Sequence, residues 1–504
     1  MLVSKKNFLK SSAVVLFITF AVKLIAFVKQ AVIGYYLGAT AHTDVYYIVY
    51  ELVASVVFIA FSAVTIALIP LYQNAKSQSV ERANALVSGA MVSFGAIAII
   101  LSIVVFAFAP ELSFLLAGGN EAISSAEMVL AIRLLSSVVF LGFLQTLFGA
   151  VLEANFIFSY SKFFGLILSS SIIACVVFLS DYIGAESLIV GTLIAYVVQV
   201  LILVGASLHD TDCRLCKPAK MKEISPLLLS VVPIMIGNGV YQTGNLIDKV
   251  IAANVGVGLP SALSYAQTIT DSVCALTITS VVSVFFSYAS QYVAKGNHGA
   301  LSSLVSSSRR VLLSVSVPFA ILVFFSSGQI VDIVYARGAF DIHAQEMTSL
   351  ALKGLAVGMP FLVFREVYAR VHYAFGNTKI PMINGAVAVV VHIPLSFILS
   401  RYIGILGIAL GAAATFCVCG LAIMFSARRY VEVSEKGDLT FYIRLLLASF
   451  LSGCIVTLVA YLLDTSSLVT FLLDSLIVFA VFGVLLFGIV KKDLKAQREL
   501  RTDG

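Results

Sequence analysis

Two lysines, Lys23 and Lys29, lie inside the first long apolar stretch of the chain. A lysine near the middle of a membrane-spanning helix costs at least ~2.5–3.5 kcal/mol on insertion scales, so it usually faces a bundle interior or a water-filled cavity. Their spacing puts them roughly 120° apart around a helix and about 9 Å apart along its axis. Both ammonium groups can therefore line one broad cavity wall that binds an anion.

The apolar stretches contain more basic than acidic residues. The basic ones are Lys23, Lys29, Arg133, Lys249, Lys353, Arg365 and Arg370, and the acidic ones are chiefly Glu51, Asp248, Asp271, Asp332 and Glu366. A positive interior favours an anionic cargo, and two or three cations can hold a diphosphate. We predict that Lys23, Lys29, Lys249 and Arg365 bind it, whereas Lys353 and Arg370 lie nearer helix ends, where such side chains extend to the headgroups. The alternative for Lys249 is an ion pair with an acidic residue on another span.

The buried carboxylates have two interpretations. They can bind protons or Na⁺ and so couple transport to a gradient, or they can form structural ion pairs. Glu51 is the coupling candidate in the first half of the chain, and Asp271 or Glu366 in the second. The sequence leaves both interpretations open.

The overall composition predicts an all-α, polytopic membrane protein. The chain is 60% hydrophobic and 12% charged, with no polar stretch long enough for a soluble domain. Most Lys and Arg residues, Arg309 and Arg310 among them, fall in alternate loops, as the positive-inside rule requires when both termini are cytoplasmic. This distribution accounts for most of the net charge of +6.

Several classes of function are disfavoured. The sequence has no G-x-x-x-x-G-K-[ST] motif and no G-x-S-x-G motif, and its six histidines are scattered. Cys213 and Cys216 form one C-x-x-C pair with only His209 nearby, which is too few ligands for a zinc site. We therefore expect that the protein is not an enzyme and binds no metal, cofactor or nucleic acid. We expect a membrane potential or an ion gradient to drive transport.

Apolar runs of about 20 residues predict fourteen spans, among them 261–293, 380–401 and 404–427. Six precede a basic linker, six follow it and two come last, which gives an N-terminal lobe (1–208), a linker (209–225), a C-terminal lobe (226–427), two further spans (428–490) and a cytoplasmic tail (491–504). The sequence around Lys29 and Lys76 has the same arrangement of residue types as the sequence around Lys249 and Lys295. This repeat, offset by about 220 residues, suggests a two-lobed transporter.

Four segments, in this order, resemble the MurJ/MviN lipid II flippases, which belong to the multidrug/oligosaccharidyl-lipid/polysaccharide exporter superfamily. They are TDVYYIVYELV, NLIDKVIAANVGVGLPSALSYAQ, IVDIVYARGAFD and REVYARVHYAFGNTKIPMINGAVAVVVHIPLSFILSRYIGILGIALGAA. The resemblance covers nearly the whole chain. It implies a V-shaped pair of six-helix lobes with a central cationic cavity that opens alternately to each face of the bacterial cytoplasmic membrane.

The resemblance also implies the cargo and one more site residue. The cargo would be lipid II, an undecaprenyl-diphosphate-linked sugar precursor of peptidoglycan, with its tail in lipid along the last two spans. Asp44 matches an acidic family position, whereas arginines common in the first, second and eighth spans are here Lys23, Lys29, Val56, Val57 and Thr268.

The alternatives are another lipid-linked oligosaccharide of O-antigen, capsular or teichoic type, a cation-coupled drug exporter, and a membrane enzyme or scaffold. Envelope-synthesis proteins are candidate partners besides the substrate and the membrane lipids.

Overall fold

The computed structural model describes residues 5–120, 123, 126–219, 225, 227, 235, 242–431, 435–462 and 467–502. All regular structure in these ranges is helical, which confirms the all-α fold class. The chain forms two compact units, Met1–Ser261 with Arg337–Phe340, and Ala262–Ala336 with Asp341–Gly504. We call them unit 1 and unit 2. The predicted division into lobes, linker and tail stays a prediction.

Unit 1 is built from long apolar helices that pack side by side. They are α1 (Lys5–Leu37), α2 (Ala41–Gln78), α3 (Val80–Ala107), α4 (Ala109–Leu116), α5 (Ala126–Leu135), α6 (Ser137–Ala154), α7 (Ser159–Lys162), α8 (Phe164–Ile183), α9 (Glu186–Asp210) and α10 (242–255). Helix α2 packs against α3 and α6, and α1 packs against α8. Helix α2 begins at a capping box in which Thr40 and Thr43 each bond the other's backbone amide.

Unit 2 contains most of α11 (Leu259–Cys274), whose residues up to Ser261 belong to unit 1. A π-helical segment, Ala275–Thr279, joins α11 to α12 (Ser280–Ala294) within the predicted span 261–293. The remaining helices are α13 (His298–Phe325), α14 (Ser327–Tyr335), α15 (Ile342–Ala374), α16 (Lys379–Ala427), α17 (Glu435–Leu462) and α18 (Ser467–Thr502). Apolar side chains of α12, α13, α15, α17 and α18 form the core.

Close packing against α16 fixes the position of α15 in unit 2. Gly354 of α15 lies so near Ala409 and the backbone of Leu406 that an added Cβ would clash. Small residues permit such contact between helices in lipid. Asp341 starts α15 by accepting a hydrogen bond from Ala344 N at 2.8 Å.

Helix α16 is much longer than a membrane is thick. Its 49 residues measure about 74 Å at 1.5 Å per residue, whereas a bilayer core is about 30 Å. Ile403 and Gly404 depart from helical dihedral angles, and Gly404 adopts φ +57°. The break separates the two predicted spans 380–401 and 404–427.

The helices present the surface expected of a membrane protein. Ten helical stretches of the described chain are long and apolar enough to cross a membrane. Large apolar side chains stand exposed along them, including Ile100 and Ile103 on α3, Phe178 on α8 and Leu201 on α9. Such continuous apolar exposure fits a lipid environment.

Candidate functional site in unit 1

A buried ion pair joins α10 to α2. Lys249 Nζ lies 2.8 Å from Glu51 Oε2, and their side chains are 5% and 14% exposed. Gln242 Nε2 donates a hydrogen bond of 3.3 Å to the other carboxylate oxygen of Glu51. The sequence predicted Lys249 as an anion ligand and Glu51 as a coupling residue, and the structure brings the two into contact.

An aromatic ring borders this ion pair. The ammonium of Lys249 lies 5.8 Å from the ring centre of Tyr47, one turn before Glu51 on α2. The hydroxyl of Tyr47 donates a hydrogen bond of 2.7 Å to Gln30 Oε1 on α1. Helices α1, α2 and α10 therefore contribute jointly to one polar cluster.

Lys29 precedes Gln30 on α1 and belongs to the same cluster. Its side chain is partly buried, and its ammonium is near enough to that of Lys249 for the two to repel each other. Across the described chain, no hydrogen bond or ion pair of Lys29 is seen. Lys29, Lys249 and Glu51 together carry an excess positive charge, and a bound phosphate would neutralise it.

Lys23 lies further along α1 and is also partly buried. The described residues include no ion pair for it either. We use the name "cation cluster" for Lys29, Lys249, Glu51, Tyr47 and Gln30. Lys23 shares a helix with two of its members.

Asp44 has a different set of partners. It is fully buried, and its Oδ1 accepts hydrogen bonds from Ser261 N at 2.9 Å and from Ser261 Oγ at 2.5 Å. Its Oδ2 accepts another from Gly258 N. Both carboxylate oxygens are thus bonded to the chain at the start of α11, as in a helix cap.

The predicted site residues of unit 2 form a second group of charges. Glu366 lies 3.2 Å from Arg365 Nη1 and 3.5 Å from Arg370 Nη2, all on α15. These side chains are between 21% and 35% exposed. Asp271 lies on the exposed surface of α11.

The structure corrects the sequence-based assignment of Arg309 to a loop. Helix α13 begins at His298, so Arg309 lies three turns into it and is 1% exposed. Its Nη1 donates a hydrogen bond of 2.8 Å to Tyr368 Oη, and its guanidinium lies 5.8 Å from the ring of Tyr442. The polar run SSLVSSSRR resembled a loop because its hydroxyls and arginines hid the helical pattern.

The C-x-x-C pair also has a structural explanation. Cys213 is buried, which raises the pKa of its thiol, although the positive charges of Arg214 and Lys76 oppose this effect. Cys216 is exposed, and its backbone amide donates to Ser88 Oγ at 3.0 Å. No group of three or more metal-ligating side chains occurs in the described ranges.

Sequence reasoning missed Gln30, Tyr47 and Gln242. An amide beside Lys29 within an apolar helix was a detectable signal, because an isolated amide in lipid needs a partner. Tyr47 carried no such signal, because tyrosine is common in membrane helices.

The comparisons with known proteins agree with this architecture. The family model of the lipid II flippase MurJ matches residues 33–479. The chain belongs to this family. A probable lipid II flippase MurJ of Rickettsia prowazekii is 24% identical over 90% of each chain. The lipid II flippase MurJ of Burkholderia cenocepacia is 23% identical over 92% of this chain and 93% of its own.

Solved structures show the same fold. A lipid II flippase MurJ in an inward closed conformation matches with a TM-score of 0.82 at 21% identity, over 95% of this chain and all of that one. An inward-facing multidrug transporter of the MATE family matches with a TM-score of 0.69 at 14% identity, over 81% and 94% of the two chains. Both matches show that the chain shares the fold of these transporters.

Membership of the MurJ family settles several predictions. The protein is a transporter and not an enzyme, and it is a multi-pass protein of the bacterial cytoplasmic membrane. Its partners include a lipid-linked substrate and membrane lipids.

Proposed function

We propose that the protein translocates lipid II across the cytoplasmic membrane by alternating access and so supplies peptidoglycan synthesis. The match of the MurJ family model to residues 33–479 carries this proposal. The cation cluster supports it, because Lys29 and Lys249 offer two ammonium groups for the diphosphate of a polyprenyl-linked precursor.

In this proposal the diphosphate competes with Glu51 for Lys249. The carboxylate lies 2.8 Å from the ammonium and holds the position that a phosphate oxygen would take. Lys23, further along α1, is a second contact for the sugar-phosphate head. Arg365 is a further ligand in unit 2, and Asp44 supports the site from the start of α2.

The finer topology belongs to the same proposal. Fourteen spans, grouped as six, six and two with both termini cytoplasmic, give the loops the charge asymmetry of the positive-inside rule. The two lobes would then be 1–208 and 226–427, joined by the basic linker 209–225. Residues 428–490 and the tail 491–504 complete this arrangement.

No cofactor is needed in this scheme. A membrane potential or an ion gradient drives the transport, and Glu51, Asp271 or Glu366 carries the coupling ion. Envelope-synthesis proteins deliver the precursor or receive it.

Proteoliposomes carrying labelled lipid II in the inner leaflet test this function, with and without an imposed potential. The label should become accessible from outside with the wild-type protein. Lys29→Gln should reduce the rate by about tenfold or more, because a charge-assisted contact worth about 1.5–3 kcal/mol is lost.

Lys162→Gln is the matched control. It also removes one lysine, but Lys162 is 49% exposed and lies 3.8 Å from Glu153 at the end of α7. Its transport should stay near the wild-type rate. If lipid II is not translocated but another polyprenyl-diphosphate oligosaccharide is, the cargo is that other lipid-linked oligosaccharide. If no such lipid moves under any drive, the protein is no lipid flippase, and cationic drugs become the next substrates to test.

A further inference from the structure

A cavity of about 980 Å³ opens in unit 2 near the start of α13 and the end of α16. Its volume lies at the upper end of the range for ligand sites, about 300–1,000 Å³. The side chains that matter here are Arg310, Arg428, Arg429, Ser302, Ser306 and His298. None of them belongs to the residues considered above for lipid II.

Three guanidinium groups border this one cavity. Arg310 comes from α13, and Arg428 and Arg429 directly follow the end of α16. Among the described residues that line the cavity, none is acidic. The positive-inside rule accounts for arginines on such loops, but not for the convergence of three of them on one concave surface.

Neighbouring contacts support the side chains that follow α16. Arg429 Nε donates to Ser426 O at 3.0 Å, and the guanidinium of Arg428 lies 4.6 Å from the ring of Phe425. Tyr430 stacks on Phe375 at 4.2 Å between ring centres and accepts a hydrogen bond from Asn377 Nδ2 at 3.1 Å. This wall of the cavity is therefore held in place before any ligand arrives, which lowers the cost of binding.

The start of α13 also borders the cavity. His298 and Gly299 are its first residues, and Asn297 caps it by accepting from Ala300 N at 3.0 Å. The N-terminus of a long helix carries a partial positive charge that favours anions. Ser302 and Ser306, one and two turns further along, contribute hydroxyl groups that can donate hydrogen bonds.

We propose that this cavity binds a phosphate-bearing anion. Forked guanidinium groups, serine hydroxyls and a helix N-terminus are all donors of the kind that bind phosphate oxygens. The ligand is either the headgroup of an anionic phospholipid or a soluble phosphate compound. In the proposed topology the cavity faces the cytoplasm. The site is independent of the cation cluster, which lies in unit 1.

The test uses the full chain with Lys29→Gln as background, so that the cation cluster contributes less binding. A fluorophore on Ser303→Cys, an exposed position of the cavity lining, reports occupancy once the exposed Cys216 and Cys454 are replaced by Ser. The probes are pyrophosphate, dihexanoyl phosphatidylglycerol and, as a neutral-headgroup comparison, dihexanoyl phosphatidylcholine. A saturable signal is expected with at least one of the first two, and Arg310→Gln/Arg428→Gln/Arg429→Gln should weaken it about tenfold or more.

The control removes the same charge elsewhere, with Arg82→Gln/Lys162→Gln/Arg214→Gln in unit 1. It should bind as the background protein does, and melting temperatures verify that both triple variants are folded. Binding of pyrophosphate without phosphatidylglycerol identifies a soluble ligand, and preference for phosphatidylglycerol over phosphatidylcholine identifies a lipid headgroup. Equal weakening in the control, or no saturable binding of either phosphate probe, overturns the proposal.

Discussion

Unit 1 and unit 2 both hold charged side chains within apolar helices, but they pair these charges differently. In unit 1, Lys249 and Glu51 are separated by 198 residues, and Asp44 bonds Ser261, which is 217 residues further along. In unit 2, Glu366 finds its partners on its own helix, at Arg365 and Arg370. The described ion pairs therefore differ: in unit 1 one of them joins helices that are distant in sequence, whereas those of unit 2 lie within one helix.

The difference indicates which unit can respond to a ligand. A local pair moves with its helix, so a shift of that helix leaves the pair intact. A long-range pair such as Lys249 and Glu51 separates when its helices move apart or when another anion takes the lysine. Because a phosphate offers the same negative oxygens as Glu51, the ion pair of unit 1 is suited to exchange with the substrate.

The largest expected effect comes from breaking the ion pair of unit 1. Lys249→Met leaves Glu51 with only the 3.3 Å hydrogen bond from Gln242 among its described contacts. An unpaired buried charge is costly, so the free energy of unfolding in mixed micelles should fall by about 3 kcal/mol. Glu51→Gln should be similarly harmful, since it leaves the ammonium of Lys249 beside Lys29.

The double variant separates pairing from general damage. Lys249→Met/Glu51→Gln removes both charges and should be more stable than the sum of the single effects by about 2 kcal/mol. Additive single effects would show that the two side chains do not support each other. The contrast between the units would then lose its strongest element.

The next effect concerns two aspartates that cap helices in different ways. Asp44 accepts three hydrogen bonds while fully buried, whereas Asp341 is exposed and accepts one from Ala344 N, three residues ahead. Asp44→Ala should cost about 2 kcal/mol of unfolding free energy and Asp341→Ala about 0.5–1 kcal/mol. Chemical denaturation of both variants measures the difference.

Asparagine substitutions sharpen this comparison. Asn keeps one acceptor oxygen, so Asp44→Asn should recover part of the loss seen with Ala, and Asp341→Asn should be close to wild type because Asn is an equally good cap. Equal losses for Asp44→Ala and Asp341→Ala would mean that the long-range bonds add nothing beyond ordinary capping.

The sequence predicted individual charges better than their partners. Lys29 and Lys249 were singled out because a lysine inside an apolar helix is energetically costly. The all-α fold followed from the length of the apolar runs. The contact between Lys249 and Glu51 was not predictable, since helical spacing relates neighbours on one helix and not residues on separate helices. Arg309 was missed for a related reason: only tertiary packing brings Tyr368 to its guanidinium.

The smallest effect is expected for the local pair of unit 2. Glu366 and Arg370 are four residues apart on α15, with their closest atoms 3.5 Å apart and their side chains 21% and 35% exposed. A double-mutant cycle with Glu366→Gln and Arg370→Gln should yield a coupling energy of about 0.5 kcal/mol, typical of such helical pairs. Arg365 directly precedes Glu366, and its Nη1 lies 3.2 Å from the Glu366 carboxylate. It therefore keeps Glu366 paired when Arg370 is lost.

Repeating the cycle in an Arg365→Gln background makes the test stricter. Without Arg365, Arg370 is the one cation left in the described ion pairs of Glu366. The coupling energy of Glu366 and Arg370 should therefore rise toward about 1 kcal/mol. It should still stay below the coupling energy of Lys249 and Glu51. A coupling of about 2 kcal/mol or more would equal the coupling expected for Lys249 and Glu51. Glu366 would then be as strongly engaged as Glu51, and the ability to exchange a carboxylate for a phosphate could no longer be assigned to unit 1 in preference to unit 2.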